Sequence, residues 1–125
     1  MGEQEPMTPE RMKARTKAFA LRVIRLTEAL PRTRAADVLG RQLLRCATSV
    51  GANYRAAQRG RSKAEFLSNL GNVEEEADEC AYWLELIADA GLVKRARLTE
   101  LIDECDQLLA IVVASIRSGR RGTGK

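Results

Sequence analysis

SKAEFLSNLGNVEEEADECAYWLELI, residues 62–87, carries Phe66, Leu70, Val73, Ala77, Cys80, Leu84 and Ile87 at alternating intervals of four and three. That spacing puts the apolar side chains on one helical face and sustains it over three heptads, the seam of a helical bundle. The stretch also declares its own start. Ser62-Lys63-Ala64-Glu65 is a capping box, in which the serine hydroxyl accepts from the third amide and the glutamate reaches back. With Gly60 before it and Gly91 after it, a helix is expected over about residues 63–90.

The same period recurs on both sides. Downstream, Leu98, Ile102, Cys105, Leu109, Val112 and Ile116 form a stripe that predicts a helix over 94–117. Upstream, Leu39, Leu43, Cys46 and Val50, with Ala47 and Tyr54 beside them, predict a helix over 34–58 capped by Thr33. The first helix is expected over 9–30, with Thr8 as N-cap, Pro9 at the first helical position and Pro31 as its stop. Its stripe is Phe19, Val23, Leu26 and Leu30, and Leu21 and Ile24 widen it, which implies more than one neighbour. Four amphipathic helices on short connections predict an all-α, antiparallel up-down-up-down four-helix bundle over residues 9–117. Residues 1–8 are expected as a flexible N-terminus and the Gly-rich basic stretch 118–125 as a disordered tail.

Composition agrees with helices. Aromatic residues are 4% of the 125, and Ala, Leu, Arg and Glu dominate, so little is available to cover a sheet. No window approaches the roughly 18 uncharged apolar residues of a membrane span. The first residues have no apolar core of a signal peptide, and Pro6 stands where a myristoylation signal wants Ser or Thr. A soluble, cytoplasmic protein is the expectation. There is no histidine, and Cys46, Cys80 and Cys105 are widely separated and in phase with the leucines of their own helices. Those facts argue against structural zinc, a Ser-His-Asp triad, a Cys-His dyad and a Glu-x-x-His di-iron site. Neither a catalytic residue, a metal nor a cofactor is expected.

Charge is segregated along the chain. Residues 1–63 hold 14 basic and 5 acidic side chains, a block of +9. Residues 64–90 hold 8 acids and no base, and residues 91–125 return to +3, for a net +4. Such blocks either pair with each other or present opposite faces to solvent. If the chain turns a hairpin near Gly60 and Arg61, residue numbers summing to about 121 lie at one level. Arg45 is then expected near Glu76, and Arg41 near Glu79 or Cys80. Gly51 is expected opposite Leu70–Gly71, where two glycines would let the helices approach closely.

Several of these residues also carry a resemblance. The order Phe19…Leu30-Pro31, then Arg45-Cys46-Ala47-Thr48-Ser49-Val50-Gly51-Ala52-Asn53-Tyr54-Arg55, then Ser62-Lys63-Ala64-Glu65-Phe66 and finally Trp83-Leu84 spans roughly residues 12–116. It resembles the bacterial four-helix-bundle family of proteins encoded in intervening sequences of large-subunit ribosomal RNA genes, related to the Avd accessory proteins of diversity-generating retroelements. The sequence departs from the family pattern at Tyr54-Arg55-Ala56-Ala57 and at Asn69-Leu70-Gly71-Asn72. The resemblance implies a homopentamer around a central channel. For the Avd branch it implies nucleic-acid binding through a basic surface and association with a reverse transcriptase.

Three functions compete on the sequence. The first is nucleic-acid binding through Arg41, Arg45, Arg55, Arg59, Arg61 and Lys63, supported by Arg11, Lys13, Arg15, Lys17, Arg22 and Arg25 of the first helix and Arg120 and Arg121 of the tail. Arginine forks suit phosphate, while the scarcity of aromatic platforms predicts backbone contacts without base reading. The plain alternative is a solvated basic face neutralised by the acidic helix. The second is a MazG-like nucleotide pyrophosphohydrolase, because Glu75, Glu76 and Glu79 with Glu100 and Asp103 match its carboxylate spacing. Acid-rich helices match that spacing by chance. The third is a structural or adaptor ring docking a protein partner through Ala18, Leu21, Ile24 and Val113.

Overall fold

The computed structural model describes residues 7–122. Four helices fill them: α1 Pro9–Glu28, α2 Arg34–Gln58, α3 Lys63–Asp89 and α4 Arg95–Arg121, with no strand among the described residues. The parts of the expected N-terminus and tail at 1–6 and 123–125 lie outside the described residues.

Local chemistry sets the helix ends. Thr8, Thr33 and Ser62 each accept, through the side-chain oxygen, from the amide three residues on, at 3.1, 3.1 and 3.0 Å. Glu65 does reach back, but one residue further than a capping box requires. Its carboxylate accepts from the Arg61 amide at 2.6 Å. α3 ends where Gly91 takes a φ of +73°, and the Leu92 amide closes onto the Ile87 carbonyl at 3.1 Å.

α4 overturns two expectations. It continues past residue 117 to Arg121, so residues 118–121 are helix where a disordered tail was expected. Packing accounts for this. A Cβ at Gly119 would stand only 2.8 Å from Leu67 Cδ2, so the glycine lets α4 lie directly on the first turns of α3. Tertiary contact of that kind stabilises a helical turn that intrinsic propensity would leave frayed. The buried stripe of α4 also runs through Leu101 and Leu108 rather than Ile102 and Leu109, which are half-buried. Each pair consists of adjacent apolar residues, so the spacing alone admits both phases.

Across each seam the partner's number falls as the first rises. Leu30 meets Gly40 and Thr16 meets Gly51 between α1 and α2; Cys105 meets Ala77 and Gly119 meets Leu67 between α4 and α3. The core joins Phe19 and Val23 of α1, Leu43 and Val50 of α2, Leu70 and Leu84 of α3, and Leu98 and Leu108 of α4, all essentially without solvent exposure. α2 and α3 share the most extensive seam, whereas α1 touches α4 only lightly. There, Arg15 grips Glu104 with two bonds, Nε–Oε2 at 3.0 Å and Nη2–Oε1 at 2.7 Å.

The expected meeting of Gly51 with Gly71 does not occur. Gly51 faces α1, where a Cβ would lie 3.2 Å from Thr16 Oγ1, and nothing lies within 4 Å of a Cβ built at Gly71. Hairpin arithmetic fixes height along the axes but not direction around a helix, where each residue advances by about 100° at 3.6 residues per turn.

Candidate nucleic-acid interface

The close approach at Gly51 sinks the line where α1 and α2 meet into an open groove of about 720 Å³. Its floor is small: Ala14, Ala20, Gly51 and Ala52, with Thr16 and Thr48. Lys13 and Lys17 line it from α1, and Arg55 and the C-cap residue Arg59 from α2 and its end. On each helix the two cations are four residues apart, one above the other on the same face. None of the four is paired with an acid among the described residues. Two other cations of α1 reach acids of α4: Arg15 holds Glu104, and Arg22 approaches Glu100 at 3.9 Å.

The six arginine and lysine candidates therefore separate. Arg55 and Arg59 line the groove. Arg61 is exposed on the α2–α3 connection and Lys63 at the first residue of α3, at the same end of the bundle. Lys63 lies beside the end of α4, its Nζ 3.8 Å from where a Cβ of Gly122 would stand. Arg45 is neutralised, with Nη2 2.7 Å from Glu79 Oε1 and Nη1 3.4 Å from Glu76 Oε1, and the expected pairing with Glu76 is present. Arg41 is corrected: it pairs with Asp37 of its own helix, Nε to Oδ2 at 3.1 Å, rather than with α3 near Glu79 or Cys80.

Lys13 and Lys17 belong to the groove but not to the six candidates. The signal for them lay in the sequence. Applying the hairpin rule to α1 and α2 as well, about the turn at Pro31–Thr33, places residue 13 near residue 51, at the level of the groove floor.

The carboxylates of the pyrophosphohydrolase spacing do not converge. Glu76 and Glu79 face Arg45, Glu100 reaches toward Arg22, and Asp103 accepts from Gln107 Nε2 at 2.8 Å. Among the described residues, the group with metal-ligand geometry is Cys46, Glu76 and Glu79. A cation would find that position contested. The Arg45 guanidinium already reaches both carboxylates, and it donates to Cys46 Sγ at 3.1 Å. Burial first, and then the hydrogen bond to Glu79, push the Cys46 thiol up to about 12, so it is not a ready thiolate ligand. The same hydrogen bond, followed by that from Arg45, holds the Glu79 carboxyl below its usual range. In the core, a hydrogen bond with Cys105 and burial raise the Cys80 thiol.

Comparison with known proteins locates the chain. The family described as 23S rRNA-intervening sequence protein matches residues 11–114. Among solved structures, the chain is similar to a protein of unknown function from the S23 ribosomal protein family of Bacteroides thetaiotaomicron VPI-5482. The two are 29% identical with a TM-score of 0.83, over 89% of this chain and 99% of that one. No curated protein matches.

Proposed function

The chain belongs to the 23S rRNA-intervening sequence protein family, and on that footing we propose that it is a non-enzymatic protein that binds nucleic acid through the phosphate backbone, at the groove between α1 and α2. One observation carries this reading: Lys13, Lys17, Arg55 and Arg59 share a single recess without acidic partners among the described residues, whereas Arg15 and Arg45 are matched to carboxylates across their seams. Leaving four like charges together opposes folding slightly, and a polyanion supplies the missing counter-charge. Carboxylates that face arginines rather than one another support a non-catalytic role.

The antiparallel seams support an up-down-up-down bundle. The resemblance to the intervening-sequence family supports a homopentamer, and repetition of a groove of modest strength around a ring would raise avidity. The adaptor reading draws on exposed Ala18 and on Leu21, which is 41% exposed on α1. Those residues are equally available to a neighbouring subunit.

Fluorescence anisotropy of a labelled structured RNA at about 50 and 200 mM salt tests the proposal. Binding is expected to weaken steeply with salt and to be lost when Lys17 and Arg55 are both changed to Glu. No binding at low salt by the intact assembly would overturn it and favour a protein partner.

A further inference from the structure

The shape of the groove narrows the class of nucleic acid. Resting on the nucleic-acid reading, we infer that the groove takes the backbone of a single strand, with its bases turned outward, in preference to a duplex.

The cations stand on both walls, Lys13 and Lys17 on one and Arg55 and Arg59 on the other. A backbone gripped from two sides must expose phosphates on two sides, which an unpaired strand does and a duplex edge does not. Width points the same way. Packed helices stand about 8–10 Å apart between axes, so a groove along their seam admits one extended chain and not a double helix. A duplex laid across it would follow its own curvature and leave the straight cation rows after one or two phosphates.

The floor argues that the bases stay outside. It has no aromatic ring to stack on. Its hydroxyls are satisfied internally, Thr16 Oγ1 donating to the Lys13 carbonyl at 3.1 Å and Thr48 Oγ1 to the Leu44 carbonyl at 2.9 Å. A site with neither stacking platforms nor open donors recognises charge and shape alone. Arg61 and Lys63 lie at the end of the bundle toward which Arg59 leads, so a strand leaving the groove passes over them.

Anisotropy with a short labelled oligouridine, and with the same strand annealed to its complement, tests this on the full-length assembly. Four phosphate contacts on a single strand give a slope of log K against log salt of roughly −3, a loss on the order of fiftyfold between about 50 and 200 mM salt. The free strand is expected to bind at least about tenfold more tightly than the duplex, and a Lys17→Gln, Arg55→Gln pair to halve the slope. Arg41→Gln, outside the groove, is expected to leave both unchanged. The glutamine pair leaves the floor untouched, and circular dichroism is the check that it folds.

Duplex binding equal to or tighter than the single strand, with the glutamine pair still halving the slope, would overturn this inference and leave the nucleic-acid reading intact. A slope indifferent to the glutamine pair would place the contacts elsewhere and overturn both the groove and its strand. No binding of either probe or of a structured RNA would remove the parent reading.

Discussion

α2 has two seams, and they differ in kind. Toward α3 it is closed: Leu43, Cys46 and Val50 are fully buried, and at the rim Arg45 meets Glu76 and Glu79. Toward α1 it is open: Gly51 and Ala52 leave a recess, which Arg55 and Arg59 line together with Lys13 and Lys17. The same residue type thus has opposite roles on one helix. What separates Arg45 from Arg55 is not exposure, since both are exposed, but whether the neighbouring helix offers an acid at that level and direction.

The strongest way to break this contrast is to fill the open seam. Gly51→Leu forces a side chain onto Thr16, whose Oγ1 already stands 3.2 Å from where the first added carbon would go. Thr16 is buried and β-branched on a helix, so it has little freedom to move aside. Overpacking of this sort costs about 1–3 kcal/mol. A urea midpoint unchanged by Gly51→Leu would show that α1 can drift outward freely and that the groove depth is not fixed by this contact.

The closed seam is probed by pH. Since the folded protein holds the Cys46 thiol up at about 12, well above an ordinary thiol, the neutral form is favoured by folding. Its stabilisation is complete below the unfolded value of about 8.5 and declines as pH rises from there toward about 12. Comparing melting temperatures of wild type and Cys46→Ala across that range should show a steeper alkaline decline for wild type. Parallel curves would mean that the thiol is not held neutral by this seam.

The smallest effect concerns the other glycine. Gly71→Ala meets nothing within 4 Å and removes a helix-interior glycine, so it should stabilise by up to about 1 kcal/mol. A destabilised Gly71→Ala protein would show that another chain covers this face and would restore a packing role to Gly71.

What the sequence disclosed follows from how redundantly it was written. α3 was legible because its heptads, its capping box and Gly91 all agree. α4 was misphased because Leu101-Ile102 and Leu108-Leu109 offer two stripes, and the choice between them depends on where α3 lies. The helical turn at 118–121 was invisible because Gly119 normally breaks helices, and here its lack of a side chain is what admits Leu67. In the groove, Arg55 and Arg59 stood out as cations without nearby acids. Lys13 and Lys17 were obscured by the many other cations of α1, including Arg15, which belongs to Glu104 instead.

The light contact between α1 and α4 sets an order of opening. With α2 and α3 sharing the broadest seam, the amide protons at their centre are expected to exchange with solvent last, and α1, which packs mainly on α2, to lift at lower free energy. α1 is also one wall of the groove. On the proposed reading, an anion seated between Lys17 and Arg55 would act as a clasp, fastening α1 to the α2–α3 pair.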